Sequence, residues 1–422
     1  MAWEKISKKL FMLATEACLA GETGTPYDRI ERLASVRRKV VDWVGDMDMS
    51  SAPPVHTVGA FYKLLLIEWA VLLGVSAILY LIARFWKSEG EGFLREFGVE
   101  PRNKRNSGSP YHLGAPQDTA RKLAVWSLGF LWMLDGLLQA QPKLGTNFFA
   151  AVVQPIMSGQ PRWVNDVFLS VTQLLFTSRP LWFDSLTVWI QILLGVGILA
   201  GPERFIGRLA LRVSIAWSLV VWAFGEAFGQ IFSGGSWLMG SPGSVLIYAA
   251  LAVVLLSKAE AWERGQVKHG MQWFVTVWFL ASAILQALPS AGYWSGNGLA
   301  DMEMGMAQMP QPHFLSAPLY AFAHALSHGP MWWNAVFVAV PFALAIGWFT
   351  APESRAIQVG TGAVLLLVWW LGQDFGVVGG AGTDPNTALP LFLLTLAHDF
   401  LPQDGSSPWT RLWRSSPRAT AH

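Results

Sequence analysis

The chain has 422 residues, of which 53% are hydrophobic and only 14% are charged. Because soluble domains average about 25% charged residues, this composition excludes an ordinary soluble protein and indicates an integral membrane protein in contact with the lipid bilayer. The net charge of +2 excludes a general attraction to nucleic acid. The single cysteine, Cys18, excludes an intramolecular disulfide and a cysteine-based zinc or iron–sulfur site.

Apolar segments of near-bilayer length predict an all-α fold with nine membrane-spanning helices, since a spanning helix needs about 20 residues. The first span, about 60–85, forms an extra transmembrane segment over 59–86. The other spans are predicted at 123–141, 181–200, 207–230, 243–257, 271–289, 331–350, 356–373 and 386–400. An external or interfacial segment (1–58), a cytoplasmic loop (87–121) and a basic C-terminal tail (402–422) flank these spans.

Lys and Arg residues near helix ends predict the orientation of the spans, because such residues concentrate on the cytoplasmic side. With nine helices, five basic clusters fall on one side. They contain Arg84, Lys87, Arg95, Arg121 and Lys122; Arg204, Arg208 and Arg212; Lys258, Arg264 and Lys268; Arg355; and Arg411, Arg414 and Arg418. This places the C-terminus in the cytoplasm and the N-terminus outside, in a prokaryotic cytoplasmic membrane. Against this orientation, residues 1–40 hold eight basic residues, which would resist translocation.

Four short motifs recur in the same order along the chain. LLQAQP is followed by ILQALP, RPLWFD by GPMWWN, AGPERF by APESRA, and WAFGEAFGQIFSGG by WWLGQDFGVVGGAG. The offsets are 147 or 150 residues. The recurrence predicts that residues 122–258 and 270–401 are two parallel copies of one four-helix unit. In each copy, a long external segment (143–180 or 290–330) is predicted to contain short amphipathic helices.

Each predicted unit resembles the four-helix membrane family that includes DoxX and the DoxD quinone-oxidoreductase subunit. The resemblance lies in a first helix that ends in Gly and polar residues, a long external segment, and a second helix that runs into a short basic turn. The last feature reads ILLGVGILAGPERF in one unit and ALAIGWFTAPESRA in the other. The resemblance implies a fold and a possible link to quinone, and it transfers no catalytic residue to this chain.

Polar residues inside the predicted spans form the first set of candidate site residues. A polar group in the hydrocarbon layer usually faces the bundle interior or a cavity. The candidates for an outward-facing polar cavity in each bundle are Asp135, Gln139, Glu226, Gln286, Gln373 and Asp374. The alternative is that they only form interhelical hydrogen bonds, which we favour for the amides. Asp184 and Asn334 also correspond across the repeat.

A second set of candidates lies in and after the stretch DMEMGMAQMP, residues 301–310. Thioether sulfur selects Cu(I), and imidazole suits copper and zinc, so a flexible loop here could bind copper. The candidate ligands are Met302, Met304, Met306, Met309, His313, His324 and His328. The alternative is an apolar surface that docks onto lipid or a partner protein. Met47, Met49 and His56 add a smaller cluster before the first span.

Three functional hypotheses remain open from the sequence. The first is a protein that handles a small ligand or ion in an outward-facing cavity, with copper binding or transfer as its most specific form. The second is a quinone-linked oxidoreductase subunit, as the DoxD resemblance implies, with Asp135 or Glu226 handling protons. The third is a non-catalytic membrane subunit held by other membrane or exoplasmic proteins. The sequence does not decide whether the chain is an enzyme.

Overall fold

The computed structural model describes residues 55–96, 115–145, 147–377 and 382–402. Over these ranges every element is helical and there is no strand. Cys18, Met47 and Met49 lie outside the described residues, as do nearly all of the N-terminal segment 1–58 and of the C-terminal tail.

Fourteen α-helices fill the described part of the chain. They are α1 (Val55–Glu96), α2 (Ala115–Gln139), α3 (Gln154–Met157), α4 (Ser170–Ser178), α5 (Pro180–Leu199), α6 (Phe205–Phe224), α7 (Ser244–Leu256), α8 (Ala259–Glu263), α9 (Gln266–Ala287), α10 (Gly298–Ala307), α11 (His313–Ser327), α12 (Pro330–Thr350), α13 (Arg355–Leu367) and α14 (Ala388–Asp399). Short π-helical turns extend some of them, at Phe149–Val153, Val164–Leu169 and Val368–Gly372.

Six of the described helices are long and apolar enough to cross a membrane. The qualifying segments are His56–Ile78, Pro180–Leu199, Phe205–Phe224, Gln266–Ala287, Pro330–Thr350 and Arg355–Gly372. α7 and α14 are apolar but shorter, and α2 is not among the six. Many large apolar side chains on these helices are exposed, as expected of surfaces that face lipid. The chain is therefore an integral membrane protein whose described part is entirely helical in its regular structure.

The first helix meets the rest of the fold through a few specific contacts. Phe61 is fully buried, and its ring lies so close to Gly145 that a Cβ at that glycine would collide with it. The Tyr62 hydroxyl donates a hydrogen bond to the Ala140 carbonyl at 3.0 Å. The Ser185 hydroxyl donates to Glu68 Oε1 at 3.1 Å. α1 continues to Glu96, so it occupies part of the segment predicted as the loop 87–121.

One apolar core connects the two groups of helices α2–α7 and α9–α14. Trp132 on α2 and Tyr248 on α7 are fully buried and meet edge to face, with ring centroids 4.9 Å apart. α14 contacts α2 and α7 as well as α9, and Leu394 in its middle is fully buried. The last helix therefore packs between the groups.

Each group has an ion pair at the end where its first helix begins. Arg121 Nη1 on α2 lies 2.8 Å from Glu203 Oε1 in the turn between α5 and α6. Lys268 Nζ lies 2.7 Å from Glu353 Oε1 beside the turn between α12 and α13, and it also donates to the Pro402 carbonyl at 2.6 Å. In each group, a buried basic side chain on the first helix is thus paired with a glutamate in a later turn, which is the α5–α6 turn in one group and the α12–α13 turn in the other.

The external segments are helical, including the Met-rich stretch. The helices predicted in 143–180 and 290–330 are present at 149–157, 164–178 and α11. The expectation of a flexible loop at residues 301–310 is wrong, because Met302, Met304 and Met306 lie on α10. Ala, Met and Glu favour helices, and this local preference outweighs the loop-like position of the segment in the chain.

Candidate functional site

A cavity of about 600 Å³ lies within the group α2–α7, near the ends of α2 and α6 that are opposite the ion pairs. Side chains of α2, α5, α6 and α7 form its walls, and the helices at 149–178 cover it. Residues 382–386, which come just before α14, complete one wall. Two segments far apart in the sequence therefore enclose one space.

Three carboxylic acids from three parts of the chain line this cavity. Asp135 on α2 is buried, and its Oδ1 accepts a hydrogen bond from the Tyr248 hydroxyl at 3.1 Å. Glu226 follows α6, and its Oε1 accepts from the Ser244 hydroxyl at 2.8 Å. Asp384 accepts from the Asn386 backbone N–H at 2.6 Å. Glu226 Oε2 is buried and has no hydrogen-bond partner among the residues that the structure describes.

The cavity is electrostatically one-sided. Among the residues that the structure describes, no Lys, Arg or His lines it. Burial raises the pKa of Asp384, and the negative charge of this residue acts on both Asp135 and Glu226. Carboxyl groups that share one cavity and act on one another favour a proton or a positively charged ligand among them.

Aromatic and aliphatic side chains make up most of the remaining wall. The aromatic lining residues are Trp132, Phe148, Phe176, Phe183, Trp217 and Phe224. Phe176 on α4 packs between the residue before the covering helices and the wall helix α5, with its ring centroid 4.5 Å from that of Phe148 and 6.2 Å from that of Phe183. A mostly apolar pocket with a few convergent polar groups is typical of small-molecule sites.

A tight left-handed turn after α6 positions Glu226. Ala227, Phe228 and Gln230 all have positive φ angles, and so does Gly229 between them. A Cβ at Gly229 would overlap the carbonyl of Pro242, so glycine is required there by both its backbone angle and its close approach. The Trp222 indole N–H donates to the same carbonyl at 2.8 Å. The turn therefore packs directly against the chain entering α7.

The same backbone feature recurs after α13. Asp374, Phe375 and Gly376 have positive φ angles, and a Cβ at Gly376 would meet Pro385 and Asp384. The Trp369 indole N–H donates to the Pro385 carbonyl at 2.9 Å. This turn also leads into the last helix of its group.

Gln139, predicted as a cavity residue, lines the cavity but is also paired. Its amide N–H donates a short hydrogen bond to Asp184 Oδ1 on α5. In the other group, the Gln286 amide donates to Asn334 Oδ1 at 2.8 Å and accepts from the Ser236 hydroxyl at 2.6 Å. Gln286 is not among the cavity-lining residues, and the alternative of an interhelical hydrogen bond describes it well.

Gln373 and Asp374 are also not among the residues that line this cavity. The Gln373 amide donates to the Thr387 hydroxyl at 2.9 Å, and its carbonyl oxygen accepts from the Ala388 N–H at 3.0 Å, which caps the start of α14. Asp374 Oδ2 accepts from the Gln311 amide at 2.8 Å. Of the six predicted cavity residues, Asp135, Gln139 and Glu226 therefore meet at one site.

The predicted metal ligands are spread over two helices and the residues beside them. Met302 and Met309 are exposed, and Met304 and Met306 are half-buried. His324 and His328 lie one turn apart with ring centroids 4.3 Å apart, and His328 Nδ1 is 2.8 Å from the His324 carbonyl oxygen. Within the part of the chain that the structure describes, no three His, Cys, Asp or Glu side chains, including His313, come together to hold a metal.

Three functional candidates were missed from the sequence. Asp384 lies in a Gly-rich stretch that the sequence predicts only as an external turn, and Tyr248 lies in a helix that is apolar apart from Ser244 and Tyr248 itself. Glu303, inside the Met-rich stretch, has an ionisable side chain that is fully buried. Tyr248 could have been identified, because it is the only large polar residue in the predicted span 243–257. Nothing local identifies Asp384.

Comparison of the chain with protein-family models, with curated proteins and with solved structures finds no match. The resemblance to the DoxX and DoxD family therefore stays a prediction from the motifs.

Proposed function

We propose that the protein binds a small organic cation with an apolar body in the cavity of the group α2–α7. The observation that carries this proposal is the placement of Asp135, Glu226 and Asp384 in an aromatic-lined space to which the described part of the chain contributes no basic residue. Aromatic faces and carboxylates both attract cations. A volume of about 600 Å³ is in the range of small-molecule pockets.

The proposed architecture is one helix followed by two tandem four-helix units, with nine spans in total. Contacts that recur in the same order in both groups, at offsets of 143 to 150 residues, support the duplication. The matched contacts are Arg121–Glu203 with Lys268–Glu353, Gln139–Asp184 with Gln286–Asn334, Trp222–Pro242 with Trp369–Pro385, and Glu226–Ser244 with Gln373–Thr387. Each pair joins corresponding helices in its own unit, as expected if both units descend from one ancestor.

The cavity opens towards the outside of the cell in this proposal. The basic turns, with Arg121 and Lys268, mark the cytoplasmic ends of the first helix of each unit by the rule that positive residues stay inside. Asp135 and Glu226 lie towards the opposite ends of their helices. A ligand would therefore enter from the outer side, under the helices at 149–178.

A binding measurement tests the proposal directly. Purified protein in detergent is titrated with tetraphenylphosphonium, an apolar cation, and the quenching of tryptophan fluorescence is recorded, since Trp132 and Trp217 line the cavity. We expect saturable binding that Asp135→Asn and Glu226→Gln each weaken about tenfold or more, because loss of a buried charge partner costs several kcal/mol. Glu260→Gln, which neutralises an exposed acid elsewhere, is the matched control. Unchanged affinity in both cavity variants would exclude a cation site.

A quinone is the second candidate ligand, favoured by the carboxyl groups of Asp135, Glu226 and Asp384 in a cavity with aromatic walls. A carboxyl group within hydrogen-bond reach of a quinone can exchange protons with it. Decylubiquinone, which is neutral, is titrated in parallel. Tight quinone binding with no tetraphenylphosphonium binding would replace the first candidate with the second.

The copper hypothesis concerns a different place in the molecule. Its candidate ligands on α10 and α11 are not among the residues that line the cavity, so it is an independent proposal with its own test, described below. The non-catalytic subunit hypothesis makes a separate prediction, namely that the protein co-purifies with fixed partners and binds neither probe.

A further inference from the structure

A second group of buried polar residues lies between α10, the residue Gln311 just before α11, and the turn after α13. Glu303 on α10 is fully buried, and Asp374 is 4% exposed. The Gln311 amide N–H donates to Asp374 Oδ2 at 2.8 Å and to the Met306 carbonyl at 3.0 Å. Met306, whose carbonyl accepts from Gln311, lies about one helical turn after Glu303 on α10. Gln311 therefore connects the helix of Glu303 to Asp374, and the charge of Asp374 acts on Glu303.

Four oxygen atoms in this group receive no hydrogen bond from any described residue. They are both carboxylate oxygens of Glu303, Gln311 Oε1 and Asp374 Oδ1. Buried acceptors in native proteins nearly always have a partner, and a buried carboxylate without one is costly. The charged neighbour that acts on Glu303 is Asp374, which has the same sign and adds to the imbalance.

We propose that Glu303, Gln311 and Asp374 bind a hard divalent cation, with Ca²⁺ as the first candidate. Hard cations take carboxylate and amide oxygens as ligands, and these are the atoms left without partners. Two carboxylates balance a double positive charge. The group supplies two acids and one amide, and within the described residues no third Asp, Glu, His or Cys side chain joins them. Water molecules would therefore complete the coordination.

The proposed ion would have a structural role that is separate from the cavity. It would join α10 and the segment before α11 to the turn at Asp374, holding the outer helices of the second group against the end of α13. The inference does not depend on the cation proposed for the cavity of the first group, because none of its three residues lines that cavity.

Titration of the full-length protein in detergent, after removal of divalent ions with a chelator, tests this site. We expect Ca²⁺ to bind with measurable heat and to raise the thermal midpoint, because a ligand that binds only the folded state stabilises it. Glu303→Gln and Asp374→Asn should each weaken Ca²⁺ binding at least about tenfold, since even outer-shell changes cost 10–100-fold in metal affinity. Asp301→Asn, an exposed acid on the same helix, is the matched control.

Several results would overturn the inference. Ca²⁺ and Mg²⁺ could fail to produce heat or a thermal shift with the wild-type protein, Glu303→Gln could bind Ca²⁺ as well as wild type, or Asp301→Asn could weaken binding equally. If Glu303→Gln does not fold, Asp374→Asn alone decides the matter. Glu226→Gln should leave Ca²⁺ binding unchanged, which separates this site from the cavity.

Discussion

The two groups of helices hold corresponding polar contacts, but the chemistry of the contacts differs. Gln139 pairs with Asp184 in the first group, whereas Gln286 pairs with Asn334 in the second. Glu226 accepts from a hydroxyl at the start of α7, and the amide of Gln373 makes the corresponding contact at the start of α14. At both places a carboxyl in the first group stands where the second group has an amide.

The exchange of carboxyl groups for amides distinguishes what the fold requires from what a function requires. The second group makes the same turn and the same helix pairing with neutral side chains, so neither feature requires a charge. An ionised side chain inside a membrane costs free energy, and the amides of the second group make the same contacts without that cost. The carboxyl groups of Asp184 and Glu226 therefore need another explanation, and the cavity ligand proposed above supplies one for Glu226.

The largest expected effect comes from the turns that the two groups share. Gly229→Ala and Gly376→Ala should each lower the stability of the folded protein by about 3 kcal/mol or more, because the added methyl overlaps a backbone group and the φ angle is positive. The readout is the thermal midpoint in detergent. Gly270→Ala, in a helix with open space around it, is the control and should change stability by less than about 1 kcal/mol.

The comparison predicts equal losses in the two turn variants. A large loss at Gly229 with none at Gly376 would show that the turns are not equivalent, and it would weaken the case for duplication.

The next effect concerns Glu303, a carboxyl that belongs to the second group. Burial and then the charge of Asp374 raise the pKa of Glu303 to about 8. Between about pH 5 and about pH 8 the folded protein then holds a proton that the unfolded chain releases, so stability falls as the pH rises, by at most about 1.4 kcal/mol per pH unit. Thermal midpoints measured in chelator should follow this slope.

Glu303→Gln should flatten the pH dependence, because the amide has no proton to lose. Asp301→Asn should leave it intact. A flat profile in the wild-type protein would contradict the burial argument for Glu303.

A smaller effect follows from converting one group into the other. Asp184→Asn recreates the Gln286–Asn334 pair in the first group, so its stability should change by less than about 1 kcal/mol, while Gln139→Leu leaves the buried Asp184 without a donor and should cost about 1–3 kcal/mol. Thermal midpoints of both variants measure this. A larger loss in Asp184→Asn than in Gln139→Leu would mean that the aspartate charge itself stabilises the fold.

The smallest effect on stability is expected for the Met-rich helix, which is particular to the second group. Replacing Met302, Met304, Met306 and Met309 with Leu should change stability by about 0.5 kcal/mol or less per site, since these side chains are exposed or half-buried. The copper hypothesis predicts that the same variant no longer binds Cu(I) in a competition assay with a chromogenic chelator. Undiminished Cu(I) binding would leave the helix as a docking surface.

The positions of the long apolar helices were predictable, because each one corresponds to a continuous apolar run in the sequence. The span 331–350 matches α12, which starts at Pro330, and the span 243–257 matches α7. Asp135, Gln139 and Glu226 were also identifiable, because a polar residue in an apolar run is conspicuous. By contrast, Asp384 joins them only through packing between segments about 150 residues or more apart, and no local pattern records such a contact.

The wall formed by residues 382–386 makes the two groups mutually dependent. The Gln141 amide donates to the Gly382 carbonyl at 3.1 Å, and the Asn386 amide donates to the Met239 carbonyl at 3.3 Å. These two hydrogen bonds join the segment 382–386 to the first group of helices. Neither group of helices, expressed alone, would contain all the walls of the cavity. A chain cut between α7 and α9 and expressed as two pieces should therefore reassemble more tightly when the cavity ligand is present, and the ligand would act as the linker that the cut removed.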